Sequence, residues 1–334
     1  MADVTVYFAT NRVIQGPATD WRNYGAEIVT PTDPAKITYA TAFVQGTDLG
    51  AEDSGAIASI SHTQAGGFQP GLVQDIVGAG KDLLIFIHGF ANSFLNSITR
   101  AAFNREWFAA SGVGAADTTV VLFSWPSLGQ FIAAPPHLLP DDYLRDQAQA
   151  TQSAFHIASF FANLQPIIAQ VHNQGRRVFL LAHSMGNFAL GVAVESWFSH
   201  NNPAVTLFDE TFLAAADERW DSFALPMAAR LSQLPHLTSR ISIYYSIRDV
   251  ALYLSIAVNL ITRLGHEGPT HKSNATLYPP PRFRIANCAE VGDYDMWKPP
   301  DASHQYYRRS HKVRADIARA MGNDPTLPDG LIQL

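Results

Sequence analysis

The segment Val178-Phe-Leu-Leu-Ala-His-Ser-Met-Gly-Asn187 is a short apolar run that stops at a serine, with the small residues Ala182 and Gly186 two positions to either side. A strand that passes into a helix through one residue forces that residue into strained backbone geometry and lifts its side chain above the sheet edge. Its neighbours two positions away must be small, because the two chain segments nearly touch there. Ser184 therefore reads as a nucleophile on an elbow. Alanine stands where the Gly-x-Ser-x-Gly pattern has its first glycine, which keeps the size constraint. A serine hydroxyl is a weak nucleophile near neutral pH. Acyl transfer through it needs a base to take the proton and an acid to orient that base.

In a strand-elbow-helix arrangement the acid follows the serine in the chain and the histidine comes last. Asp249 follows the strand-like run Ile241-Ser-Ile-Tyr-Tyr-Ser246, and His304 lies in a loop-like stretch after Pro299-Pro-Asp-Ala-Ser303. The rival acid is Asp217, which ends Phe212-Leu-Ala-Ala-Ala-Asp217 and also follows a strand; the chain order favours Asp249 and leaves Asp217 a supporting or loop-capping part. The rival base, His311, falls inside an expected helix. Tetrahedral intermediates also need preorganised amide donors. The expected donors are the backbone of Met185, at the start of the elbow helix, and that of Phe90, in the loop His88-Gly-Phe-Ala91. His88 and His183 read as braces for their segments.

These residues need a frame. Short β-rich runs alternate with longer helical ones, the pattern of a mostly parallel central sheet with helices on both faces, an α/β fold. Strands are expected at 4–8, 37–43, 82–87, 119–123, 210–215, 240–245 and 282–291, with the turn-rich stretch 16–34 between the first two. Ala154, Ile157, Phe161, Leu164, Ile168 and Val171 recur at alternating three and four spacing, so 143–171 reads as one helix that Pro166 should kink or end. A closing helix is expected over 306–321. No repeat or linker divides the chain, and 1–334 reads as one domain.

Composition narrows the function. A net charge of −6 argues against nucleic acid, which requires a positive field. The basic stretch Arg308, Arg309, His311, Lys312 and Arg314 reads as a solvated face. Cys288 is the one cysteine, so no intrachain disulfide forms, and its apolar neighbours place it in a buried strand position. The first residues lack the basic start and long apolar stretch of a secretory signal, and the greasiest region, 251–264, is too short and interrupted to span a bilayer. A soluble, cytoplasmic protein is expected. Gly78-Ala-Gly-Lys81 precedes a strand and lacks the earlier glycine of a phosphate loop, so it reads as a turn. No His-Glu-x-x-His run or paired-cysteine spacing is present, and neither metal nor cofactor is expected.

The chain resembles the α/β-hydrolase superfamily. Within it, it looks like a bacterial esterase/lipase-like family described as α/β hydrolases of unknown function. The resemblance rests on Tyr7-Phe-Ala-Thr-Asn-Arg12, Ile85-Phe-Ile-His-Gly-Phe90, Phe123-Ser-Trp-Pro-Ser127, Ala182-His-Ser-Met-Gly-Asn187, Leu213-Ala-Ala-Ala-Asp217, Arg248-Asp249 and Ser303-His304. It implies a Ser-Asp-His hydrolase. The resulting expectation is a serine carboxylic-ester hydrolase, esterase- or lipase-like, with a small-molecule ester substrate; the alternative is a catalytically silent scaffold on the same fold. The apolar, proline-studded segment 126–142 reads either as a lid over the serine or as an ordinary satellite core; in the first case it folds over the nucleophile. Phe131, Ile132, Leu138 and Leu139 would then line an acyl pocket with Phe90, Phe94 and Leu252.

Overall fold

Continuous apolar runs bounded by glycine, such as Asp82-Leu-Leu-Ile-Phe-Ile87, form the middle of a sheet buried on both faces, where alternation is not needed. The structure is a computed structural model that describes residues 1–52, 54–129, 131–133, 136–224, 230–296 and 302–334, with backbone alone for 131–133, 136–138 and 302. In chain order the first strands are β1 (Ala2–Thr10), β2 (Arg12–Ile14), β3 (Tyr24–Ile28), β4 (Thr38–Thr47), β5 (Ala56–Ala65), β6 (Asp82–Ile87) and β7 (Thr118–Ser124). Then come β8 (Phe131–Ala133), β9 (Pro136–Leu138), β10 (Val178–His183), β11 (Phe208–Ala214), β12 (Thr238–Tyr245), β13 (Phe283–Asn287) and β14 (Gly330–Gln333). The helices are α1 (Pro70–Gly78), α2 (Phe94–Ala109), α3 (Pro140–Gln152), α4 (Ala154–Asn173), α5 (Met185–Ser199), α6 (Val250–Asn259), α7 (Leu264–Glu267), α8 (Tyr306–Arg309) and α9 (His311–Met321).

The main sheet runs β14-β13-β12-β11-β10-β6-β7-β1-β4-β5. Pairing is parallel from β14 to β1, and antiparallel from β1 through β4 to β5. This is the mostly parallel α/β sheet expected. Side chains alternate between its faces with the strand period of two. Leu83, Ile85 and Ile87 of β6 join Val178, Leu180 and Ala182 of β10 in a core roofed by α4 and α5. Leu84, Phe86, Phe179 and Leu181 face the other way, under α2 and α9. Shortening any one of the leucine, isoleucine or phenylalanine side chains among these to alanine costs about 2–5 kcal/mol. The consequence for function is positional: β6, β10, β11 and β12 end side by side, and Gly89, Ser184, Asp217 and Asp249 follow their ends.

Several elements differ from expectation. The helix expected over 143–171 is two, α3 and α4, which meet at Ser153; Pro166 lies inside α4. The break is tertiary in origin, because Asn11 Nδ2 donates to Ser153 Oγ (2.9 Å) while that hydroxyl donates to Gln149 O (2.8 Å). The closing helix also divides. Ser310 is extended (φ −83°, ψ 124°), and its hydroxyl caps α9 by accepting from the Val313 amide at 3.1 Å. The nearby basic stretch is a solvated face only at His311 and Lys312. Arg308 is buried beside Gln305 and Glu52, Arg309 pairs with Glu52, and Arg314 lies 4.2 Å over the Trp107 ring. Cys288 is buried just past β13, and burial pushes its thiol up. Among the described residues no helix is long and apolar enough to cross a membrane.

Candidate active site

Ser184 sits between β10 and α5 with φ 56° and ψ −130°, a conformation that L residues adopt only under strain. Serine is a favoured N-cap, yet its side chain makes no capping bond here, so the helix does not claim the hydroxyl. Asn187 Nδ2 braces the turn from within by donating to Ala182 O (3.0 Å) and Ser184 O (3.2 Å). The small neighbour has a measurable reason: a Cβ on Gly186 would stand 2.5 Å from Ile87 O.

His304 lies in a short turn (Ala302–His304), and its Nδ1–H donates to Asp249 Oδ2 at 2.7 Å. That bond fixes the tautomer and leaves Nε2 as the nitrogen that can act as base. The His304 ring packs on His183, the residue before the serine, at 4.8 Å between centroids. Asp249 is wholly buried at the N-terminus of α6, where Oδ1 also accepts from the Leu252 amide at 3.0 Å. Burial raises its carboxyl above the usual range, and the His304 contact opposes that rise. His183 is held neutral, first by burial and then by the like charge of His304.

The His88-Gly89-Phe90-Ala91 loop comes down directly on the serine. Asn92 Nδ2 donates to the carbonyls of Gly89 (3.0 Å) and Phe90 (2.8 Å), and His88 Nδ1 donates to Gly89 O at 3.0 Å. Because the peptide is trans, holding the Gly89 carbonyl on one side turns the Phe90 N–H to the other. Met185 is the first residue of α5, and its amide belongs to the first turn, whose N–H groups have no intrahelical acceptor. His88 is a brace, stacked on Trp125 at 5.1 Å, and burial with the nearby Arg12 pulls its pKa down to about 3.

Arg12 and Ser124-Trp-Pro-Ser127 have a structural task that their local sequence does not reveal. Arg12 is 1% exposed; it donates to Ser124 Oγ (3.1 Å), Gly25 O (3.0 Å), Asn92 O (2.9 Å) and Ser127 O (3.4 Å). One planar guanidinium thus joins the first strands, the segment after β7 and the loop above the serine. Burial lowers its pKa to about 9, opposed by Asp146, so it remains a cation at neutral pH. Asp146 in turn accepts from Ser127 Oγ (2.7 Å) and from the amides of Leu128 (3.1 Å) and Gly129 (2.9 Å). The stem of the segment expected as a lid is therefore tied to α3. Its middle forms the β8–β9 hairpin, which lies against α6.

Asp217 is engaged elsewhere. Its Oδ1 accepts from Ser255 Oγ (2.5 Å) and pairs with Arg263 Nε (3.2 Å), while Oδ2 accepts from Tyr143 OH (2.9 Å). Only its amide serves the elbow, donating to Ser184 O at 3.0 Å. His311 begins α9 and packs on Trp107. Of the residues expected to line a pocket, Phe90 is half-buried against Tyr143. Phe94 and Leu252 are core residues instead, with Phe94 stacked on Tyr24 at 4.0 Å. Leu139 is half-buried at the start of α3. The side chains of Phe131, Ile132 and Leu138 lie outside the described residues.

A family profile described as "Alpha/beta hydrolase of unknown function (DUF900)" matches residues 68–296. No curated protein matches the chain. Among solved structures, an esterase/lipase from an uncultured bacterium is similar at 11% identity and a TM-score of 0.32, covering 85% of this chain and 80% of that one. Carboxyl esterase 2 of the mycorrhizal fungus Tuber melanosporum is similar at 11% identity and a TM-score of 0.36, covering 85% and 82%. Phospholipase PlaB of Legionella pneumophila, in complex with thio-NAD, shares 14% identity over 55% of this chain and 43% of its own, with a TM-score of 0.27. At these identities and scores the three structures bear on neither substrate nor mechanism here.

Proposed function

The chain belongs to the α/β hydrolases of unknown function (DUF900), and on that premise we propose that it is a serine hydrolase of carboxylic esters that works through Ser184, His304 and Asp249. The observation that carries the reading is the 2.7 Å bond from His304 Nδ1 to Asp249 Oδ2, on a ring packed against the residue that precedes the strained serine. His304 Nε2 takes the Ser184 proton as Oγ attacks the ester carbonyl. The oxyanion that forms accepts from the Met185 and Phe90 amides, each such donor contributing about 3–4 kcal/mol to the transition state. Collapse breaks the bond to the alkoxy oxygen, which leaves as alcohol with the proton from His304, and the acyl group stays on Ser184. Water then gives a proton to Nε2 and attacks the acyl-enzyme, releasing the acid and restoring the serine. Asp249 holds the imidazolium in place throughout. No cofactor enters this cycle.

The test is a fluorophosphonate probe combined with a chain-length series of p-nitrophenyl esters. Wild type is expected to be labelled and to turn over short to medium acyl esters; Ser184→Ala is expected to lose labelling, and turnover in it and in His304→Ala to fall by roughly four to six orders of magnitude. Absence of labelling together with no turnover at any chain length would replace this reading with the silent scaffold.

A further inference from the structure

Beside Asp217 lies a cleft of about 350 Å³, walled by charged groups for which the ester chemistry has no use. Glu218 is fully buried in it. One of its oxygens accepts from the Arg219 amide at 2.7 Å; the other has no hydrogen-bond partner and stands 4.0 Å from Arg230 Nη1. Arg263 is 2% exposed and is held through Nε by Ser255 Oγ and Asp217, yet its Nη2 has no acceptor. Arg230 lies over the Phe188 ring at 4.7 Å, and its buried Nη1 also has none. Arg219 is satisfied by Asp221 at 2.9 Å through two nitrogens. Two buried donors and one carboxyl oxygen, on residues that line a single space, thus lack hydrogen bonds, with Arg230 Nη1 and Glu218 Oε2 facing each other only at ion-pair distance. A buried donor without a partner costs about 1–3 kcal/mol, which a ligand supplying the acceptor recovers.

We propose that this cleft binds a small monocarboxylate with an apolar tail, its oxygens accepting from Arg263 Nη2 and Arg230 Nη1 and facing Glu218, its tail on Phe188, Leu144 and Ile261. The volume is at the low end for small-molecule sites, which suits a ligand of that size. Two nearby carboxyl groups, Asp217 and Glu218, disfavour a doubly charged phosphate. Its lining includes none of Ser184, Asp249 and His304, and binding there does not depend on ester hydrolysis. Its affinity should depend on pH, because burial raises the Glu218 carboxyl to about 7. The charged groups around it are Asp217, Arg219, Arg230 and Arg263, with Glu195 on α5; α3 and the end of α6 contribute neutral Leu144, Gln147, Ala148, Thr151 and Asn259. Protonation of Glu218 removes the one negative charge directly facing the ligand.

Titration calorimetry of the full chain with hexanoate tests this, with hexanol and inorganic phosphate as comparison probes. Hexanoate is expected to bind saturably, about tenfold tighter at pH 6 than at pH 8, and equally well to Ser184→Ala and to fluorophosphonate-treated protein. Glu218→Gln should bring the pH 8 affinity up to the pH 6 value, a gain that misfolding cannot mimic, and Arg230→Gln should weaken binding at least tenfold. Loss of hexanoate binding on fluorophosphonate treatment, phosphate binding as tight as hexanoate, or an unchanged pH dependence in Glu218→Gln would each overturn the proposal.

Discussion

Gly89 lies against Ser184: a Cβ on the glycine would stand 2.6 Å from the serine Cβ, 2.9 Å from His183 O and 3.2 Å from the serine Oγ. The loop that carries the Phe90 amide can therefore come this close to Ser184 only without a side chain at position 89. Gly89→Ala must push apart the elbow and the loop, both of which are backbone and yield poorly. Since displacements of about 1 Å can reduce rates about 100-fold, kcat/KM for a p-nitrophenyl ester is expected to fall by about that factor or more in a protein that still folds. Gly71→Ala, where an added Cβ meets nothing within 4 Å, serves as the control and should leave kcat/KM unchanged.

The two candidate acids differ in what they hold. Asp249 binds the histidine; Asp217 binds Arg263, Ser255 and Tyr143. Asp249→Asn should lower kcat by about 10⁴, because an amide cannot hold the imidazolium or enforce its tautomer. Asp217→Asn should leave kcat within about tenfold and instead lower stability by about 3–5 kcal/mol, the cost of leaving a buried guanidinium without its counter-charge. Denaturant melts and kcat measured on both variants separate these outcomes. A far larger kcat loss in Asp217→Asn would reverse the assignment.

What could be read along the chain was what local pattern determines. The runs 82–87 and 119–123 became β6 and β7 with at most one residue of difference at either end, because strands buried on both faces read as continuous apolar runs. The places of Ser184, Asp249 and His304 at element ends were legible because each follows a strand or precedes a helix. The break at Ser153 was not, since its cause is Asn11, far away in sequence. The edge strands β5 and β14 are mostly exposed and carry little apolar signal. The task of Arg12 was invisible for the same reason: its four acceptors come from three separate parts of the chain.

Arg12 should behave as a positioning residue. Lysine retains the charge but offers a point donor in place of a planar fork, so it cannot reach Asn92 O, Ser127 O, Gly25 O and Ser124 Oγ together. In Arg12→Lys the loop above the serine loses part of its anchorage. If the Phe90 amide serves the oxyanion as proposed, it acts chiefly in the transition state, and kcat should fall about tenfold or more with KM little changed. A rise in KM at constant kcat would instead place Arg12 in substrate binding.

Glu218 gives stability a pH dependence whose sign follows from its raised carboxyl. The folded protein holds this group's proton up to about pH 7, whereas an unfolded chain releases it near the ordinary value of 4.5. Between those values the folded state binds more protons, so the stabilisation is complete below about pH 4 and is lost as pH rises through 7. The shift corresponds to roughly 3 kcal/mol. Glu218→Gln, which stays neutral at every pH and can still accept from the Arg219 amide through its carbonyl, should escape that loss. It is expected to be more stable than wild type at pH 8 by up to roughly that amount and equal to it near pH 4. Urea denaturation of both proteins at the two pH values measures the difference; a variant less stable than wild type at pH 8 would mean that the Glu218 charge is favourably paired in the fold.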